Sequence, residues 1–314
     1  MTADGFTGKK ILITGAGGFI GSHLARWFSG IDCSLALTER VGPERPAPAA
    51  KADVTWHGRD TSSPAFRDMM VAGDFDYIFH FAGNANVNVS VERPAFDFQQ
   101  NCVATVEMLE ALRQSGSGAV FVYASSAAVY GNPVRLPISE TDLTVPISPY
   151  GVSKLAAERY VTAYCQLYGL KGVSLRMFSP FGPGLRKQIV FDLTRKILGG
   201  GALKVFGDGS QTRDFIHIDD LVSAILAVTR SDSHSGGVYN IGSGIATPTS
   251  EIATLLVEIA GKDIEIEYSQ TQVAGNPDKW RADISKLLAL GWTPTVPLRD
   301  GLAETVEWIA HEYS

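Results

Sequence analysis

The chain has 314 residues, of which 45% are hydrophobic and 19% charged, enough for one large core or a large and a small one. A net charge of −6 with scattered lysines and arginines disfavours a nucleic-acid partner, and no apolar run approaches the ~20 residues of a membrane span. Three widely spaced cysteines, Cys33, Cys102 and Cys165, have no metal-ligand spacing, so no metal is expected; they predict reduced thiols in a cytoplasmic protein, and the Met1–Gly5 start lacks the order of a signal peptide.

Short apolar segments predict strands at Lys10–Thr14, Ser34–Thr38, Val54–His57, Tyr77–His80, Val120–Tyr123 and Val173–Met177. Helices are predicted at Phe19–Ser29, Pro64–Val71, Pro94–Gln114 and Pro149–Tyr168, the last with Ser148 as N-cap, Pro149 in its first position and Gly169 as its stop. Repeated βα units predict an α/β fold with a doubly wound parallel sheet and right-handed crossovers. Val41–Lys51, with three prolines, reads as a surface loop. After Ser179–Gly184 the character changes to short elements between turn-rich stretches, which predicts a smaller C-terminal lobe capping the ligand edge of the sheet. Asp219–Arg230 is expected to return to the main domain. The expected division is 1–178, with 215–240, against 179–314 for the rest.

The segment Ile11–Gly21 runs an apolar strand into a glycine turn and then a helix. Gly15, Gly18 and Gly21 allow a tight turn, close approach of a pyrophosphate and close helix packing, and the N–H groups of the Gly17-Gly18-Phe19-Ile20-Gly21 helix start suit a diphosphate. The Gly-x-x-Gly-x-x-Gly spacing is tighter than the common dinucleotide fingerprint. Glu39, at the end of the second strand, is the candidate for the ribose hydroxyls and favours NAD. Arg40 follows it and would suit the 2′-phosphate of NADP, or is a solvated loop residue.

Tyr150 and Lys154 lie four apart on a predicted helix and share a face. A free phenol titrates near pH 10, and a neighbouring ammonium favours the phenolate, giving a proton acceptor beside a departing hydride. Ser126, after a sheet strand, is placed to hydrogen-bond the reacting hydroxyl. Glycine turn and Tyr-Lys pair together indicate redox chemistry on an alcohol or ketone.

These motifs resemble the extended short-chain dehydrogenases/reductases, within the NAD-dependent sugar epimerase/dehydratase family. The matching stretches are Thr14–Gly21, His80–Gly83, Ser125–Gly131, Tyr150–Lys154, Arg176–Gly184, Gly207–Asp220 and Asp283–Lys286, in the family's order across most of the chain. The resemblance implies a Rossmann-type sheet with a nucleotide-sugar-binding lobe and Ser126, Tyr150 and Lys154 as catalytic residues. Ser126 is preferred to Ser125 because it stands four before Tyr130 of the Val-Tyr-Gly tail. It further implies Asp60 near the adenine, Ala82, Gly83 and Asn101 along the cofactor, Arg213 on the substrate diphosphate and Arg281 as a second grip. Relatives pair through two long helices, here Pro94–Gln114 and Pro149–Tyr168, which implies a homodimer.

The resemblance also bears on the reaction. Sugar dehydratases carry an acid between the catalytic Ser/Thr and Val-Tyr-Gly, where this chain has Ala127 and Ala128. Small apolar residues there are like those of the 4-epimerases, so the expected function is a nucleotide-sugar 4-epimerase with tightly bound NAD. The alternatives are an NADPH-dependent 4-keto-sugar-nucleotide reductase and a non-catalytic dinucleotide-binding module. Two departures concern the substrate site: Ser179 stands where the family has Asn, with Phe181 for the usual Tyr, and the Asn84–Ser90 loop carries Asn84, Asn86 and Asn88, which signals either a more polar sugar or a turn.

Overall fold

The computed structural model describes residues 5–39, 51–200, 202–231, 234–269 and 277–313. The chain begins β1 (Lys10–Thr14), α1 (Phe19–Ser29), β2 (Ser34–Glu39), β3 (Asp53–Gly58), α2 (Pro64–Gly73) and β4 (Tyr77–His80). It continues through α3 (Val87–Glu92), α4 (Pro94–Phe98), a π turn (Gln99–Val103), α5 (Ala104–Ser115), β5 (Val120–Ser126), a 3₁₀ turn (Ala127–Tyr130), α6 (Pro149–Tyr168) and β6 (Lys171–Met177). The second half comprises β7 (Ser179–Phe181), α7 (Gln188–Leu198), β8 (Leu203–Phe206), β9 (Thr212–Arg213), β10 (Phe215–His217), α8 (Ile218–Arg230) and β11 (Ser235–Ile241). It ends with β12 (Thr247–Pro248), α9 (Thr249–Ile259), β13 (Ile266–Ser269), α10 (Ser285–Ala289) and α11 (Leu298–Tyr313).

Seven strands form one parallel sheet in the order β11-β6-β5-β4-β1-β2-β3. The winding reverses between β1 and β4, which opens a crevice at their carboxyl ends, the usual ligand position of such sheets. Alternation along β1 sends Ile11 and Ile13 to one face, packed with Leu24 and Phe28 of α1 and Leu221 and Ile225 of α8. Leu12 goes to the other face with Phe66 of α2, Met108 of α5 and Val161 of α6. A separate cluster, with Leu193 and Ile197 of α7, Leu203, Phe215, Ile252 and Leu302, forms the C-terminal lobe. The chain re-enters the sheet layers with α8 and β11, and again with Leu287 and Trp292, which join the first cluster.

The first six strands and the long α6 occupy their expected positions, with strand ends extended by one to three residues. Two expectations are corrected. Pro94–Gln114 is not one regular helix, because the π turn at Gln99–Val103 separates α4 from α5. Asn84–Ser90 is not simply a loop: Asn86 caps α3, its Oδ1 accepting the N–H of Asn88 at 2.9 Å and of Val89 at 3.3 Å. The predicted loop at 41–51 lies outside the described residues except for Lys51. Among the described residues no helix is long and apolar enough to cross a membrane.

Candidate active site

A cavity of about 1250 Å³ runs from the glycine turn to the C-terminal lobe. At its first end the chain leaves β1 and turns at Gly15, where φ is 68°. A Cβ there would stand 2.7 Å from the Ala82 nitrogen, and one on Gly21 would stand 2.1 Å from the Gly15 carbonyl oxygen, so neither position accepts a side chain. Gly18 leaves α1 without a side-chain cap, and Gly18, Phe19, Ile20 and Gly21 line the cavity. This end therefore offers helix N–H groups and a positive dipole to an anion.

Glu39 and Asp60 line the cavity beyond the ends of β2 and β3. Glu39 Oε2 accepts the Gly17 N–H at 2.9 Å, tying strand to turn. Asp60 Oδ1 accepts the Ser62 N–H at 2.9 Å and its hydroxyl at 2.7 Å. Gly17 itself does not reach the cavity wall, since its N–H is turned to Glu39. Arg40 lies outside the described residues.

After β4, Ala82 and Gly83 line the cavity. They are held from behind by a relay. The Ala82 N–H donates to Thr14 Oγ1 at 3.1 Å, Thr14 Oγ1 meets His80 Nδ1 at 2.8 Å, and His80 Nε2 meets Thr105 Oγ1 at 3.1 Å. Burial, with the charge of Lys154, pushes the imidazole down to about 3, so His80 is a neutral link. Asn101 is buried behind the cavity wall at Gly83, donating to Asp97 Oδ1 at 2.9 Å and Ser153 Oγ at 3.2 Å. The π turn carries its side chain inward between α4 and α6.

The catalytic candidates share one wall. Ser148 caps α6 through the Gly151 N–H at 3.2 Å, Pro149 opens it and Gly169 ends it at φ 70°. This start sets Tyr150 in the first turn and Lys154 one turn on, both facing the cavity beside Ser126. The buried Lys154 Nζ donates to the Ala124 carbonyl at 2.9 Å and stands 5.2 Å from the centre of the Tyr123 ring. Burial pushes the ammonium down to about 8, partly offset by the Asp97 charge. The Tyr150 phenol is pushed up, chiefly by burial and further by Asp97, while its hydrogen bond with Ser126 favours the phenolate. Burial thus moves the phenol in the direction opposite to the lowering expected from a neighbouring ammonium. Ser125 also lines the cavity, but its hydroxyl is spent on Glu158 Oε2 at 2.7 Å, within a buried pair of Glu158 and Arg176 at 2.6 Å. Ala127 and Ala128 form the turn after Ser126, and Ala128 reaches the cavity.

At the lobe end, Ser179 and Arg213 line the cavity. Arg213 Nη1 donates to the Thr212 and Asp278 carbonyls at 2.9 and 3.3 Å, and the guanidinium stands 5.5 Å from the Trp280 ring centre. Burial pushes it down to about 10, so it stays charged at neutral pH, and among the described residues it forms no ion pair. Arg281 is exposed, and its Nε donates to the Gly244 carbonyl at 2.8 Å. Neighbours on extended chain point oppositely, and Trp280 takes the inward position. Asn84 lines the cavity, but its amide is spent on Asp97 Oδ1 at 2.7 Å and the Asn86 carbonyl at 3.0 Å. The asparagine-rich stretch is therefore mainly capping and anchoring.

Sequence reasoning missed Lys187 and Gln188 on the cavity rim. Lys187 Nζ donates to the Ala85 carbonyl at 3.2 Å, bridging the lobe to the loop after β4, and Gln188 holds a φ of 72°. Their position just after the Gly-Pro-Gly turn was the available signal. His217, Asp219 and Glu304 also gather, but none lines the cavity, and the two carboxylates flank opposite ring nitrogens, 3.8 Å from Nδ1 and 3.4 Å from Nε2.

Residues 11–242 match the model of the NAD dependent epimerase/dehydratase family. The UDP-glucose 4-epimerase of Mycolicibacterium smegmatis is 32% identical over 96% of this chain and 99% of its own length. The UDP-glucose 4-epimerase of Thermotoga maritima, solved with UDP-glucose, is 30% identical with a TM-score of 0.87, over 97% of this chain and 100% of that one. The UDP-glucuronic acid 4-epimerase of Bacillus cereus, solved with UDP-glucuronic acid and NAD, is 29% identical with a TM-score of 0.87 and the same coverage. The uncapped helix start, the tight glycine turn and the carboxylates Glu39 and Asp60 along one wall fit a dinucleotide, and the chain belongs to the NAD dependent epimerase/dehydratase family.

Proposed function

We propose that this chain is a nucleotide-sugar 4-epimerase that inverts C4 of a UDP-sugar. The observation that carries this reading is one cavity shared by the glycine turn, Ser126, Tyr150 and Lys154, with alanines rather than carboxylates at the turn after Ser126. Gly18–Gly21, Glu39 and Asp60 would hold NAD, which when bound would supply a reversible hydride acceptor for the sugar carbon. Tyr150 takes the proton of the 4-hydroxyl and later gives it back. Ser126 hydrogen-bonds the same oxygen, and the Lys154 ammonium favours the phenolate in the reacting complex. Arg213 suits the substrate diphosphate, because a desolvated guanidinium binds phosphate oxygens bidentately. Retention of the 4-keto sugar matters most, since the reaction is completed only if the same sugar is reduced before it escapes. Ala127 and Ala128 transfer no proton, which argues against loss of water from the sugar.

In this reading residues 1–178 with 215–240 hold the cofactor, and most of 179–314 holds the nucleotide sugar. A homodimer through Pro94–Gln114 (α4, the π turn and α5) and α6 is part of the proposal. Val152, Tyr160 and Leu167 are exposed and fall within about 80° of one another around α6 at 3.6 residues per turn; Phe98 of α4 is exposed too. Sedimentation at micromolar concentration tests it. Three free, buried cysteines suit the cytoplasm.

The decisive experiment incubates the purified protein with a panel of UDP-, GDP-, dTDP- and CDP-sugars and trace NAD, reading products by NMR. The expected result is a C4 isomer of a UDP-sugar with no net NADH. Conversion only of 4-keto sugars with stoichiometric NADPH would replace this reading by a reductase.

A further inference from the structure

Asp97 is fully buried, and its partners differ from those of the other buried acids. Glu158 is paired with Arg176. Asp214 and Asp220 accept backbone N–H groups. Asp97 accepts only from neutral side chains: Asn84 Nδ2 at 2.7 Å and Asn101 Nδ2 at 2.9 Å on Oδ1, and Ser153 Oγ at 2.5 Å on Oδ2. Among the described residues it forms no ion pair. Its donors come from three elements. Asn84 belongs to the cavity wall after β4, Asn101 to the π turn, and Ser153 to α6 between Tyr150 and Lys154. A single π turn inside a helix often marks a functional position, and here it directly follows the helix that carries Asp97.

We propose that Asp97 is a positioning residue for the Tyr150–Lys154 pair, anchoring α6 through Ser153 and placing behind the pair a carboxylate that, among the described residues, no ion pair holds. The inference rests on the epimerase reading above and extends it to a residue that touches neither substrate nor cofactor. The other titratable groups facing the pair do not supply that charge. His80 on β4 is neutral, Cys102 on the π turn has its thiol pushed up by burial, and the Tyr123 phenol on β5 is pushed far up by burial. The charge of Glu158 is matched by Arg176. The Asp97 charge holds the proton on both Lys154 and Tyr150. Its removal has one sign for both groups. Lys154 loses a stabilising neighbour and deprotonates at lower pH, while Tyr150 loses a repelling one and ionises at lower pH.

The test compares the parent holoenzyme with Asp97→Asn and Ser153→Ala, measuring the pH profile of turnover and the ionisation of Tyr150 by ¹³C-tyrosine NMR. For Asp97→Asn both limbs of the profile are expected to move to lower pH by about one unit, with the Tyr150 titration moving the same way. Ser153→Ala keeps the charge, so its profile stays in place while turnover falls. A profile for Asp97→Asn that is merely scaled down, with both limbs and the Tyr150 titration unmoved, overturns the proposal. Should that variant fail to fold, Asp97→Ser removes the same charge at smaller volume and is read identically. If the parent turns over no nucleotide sugar, the epimerase reading fails, whereas the Tyr150 titration still decides the role of Asp97.

Discussion

The Lys154 ammonium nitrogen lies 6.0 Å from the centre of the Tyr150 ring while donating to the Ala124 carbonyl at 2.9 Å. The lysine is thus held by the strand end rather than by the phenol. One consequence follows for pH. Burial holds Lys154 at about 8, so turnover should fall as pH rises through about 8, when the ammonium is lost. A pH profile of kcat from 6 to 10 checks this. An undiminished rate at pH 10 would remove the charge from the mechanism.

Tyr150→Phe removes the proton-transferring oxygen and little else, because the ring stays against the same wall. Turnover should drop by about 10²–10⁴-fold, the usual range for a positioned acid/base, while NAD titrates with unchanged affinity. Retained turnover would exclude the phenol as acid/base.

Arg213→Ala deletes a half-buried cation at the lobe end of the cavity. Charge-assisted hydrogen bonds contribute ~1.5–3 kcal/mol, so affinity for the UDP-sugar should weaken about 10–100-fold. Calorimetry with UDP and with NAD separates the cases: NAD binding should be unchanged, and an equal loss of both would mean a general disruption.

Glu39→Ala removes the carboxylate that accepts the Gly17 N–H and that would repel a 2′-phosphate. The ratio of NADP to NAD affinity should rise about tenfold or more, measured by fluorescence titration of the reduced cofactors. An unchanged ratio would show that Glu39 only braces the turn.

The local motifs were legible because each is a short-range constraint. The glycine turn must follow a strand and open a helix. The Ser148–Pro149 start and the Gly169 stop define α6 and hence the shared face of Tyr150 and Lys154. The alternation of β1 and the apolar strands announces a sheet covered on both faces. These are statements about neighbours within about twenty residues, and the chain states them directly.

Other features depend on which distant segments meet. Asn101 and Arg281 carry suitable chemistry, yet the π turn carries one behind the cavity and Trp280 takes the inward place from the other. Asp97 and Lys187 gain their places only when α4 packs on α6 and when the lobe meets the loop after β4. The state of the phenol is decided in the same way: spacing alone puts an ammonium near it, but desolvation depends on how much chain closes over the site, and here burial is the larger effect. Sequence by itself determined the fold class, the glycine turn and the shared face of Tyr150 and Lys154, since hydrogen bonding and side-chain periodicity are local. Tertiary structure alone decided burial, charge pairing and orientation, because these arise from contacts between segments far apart in the chain.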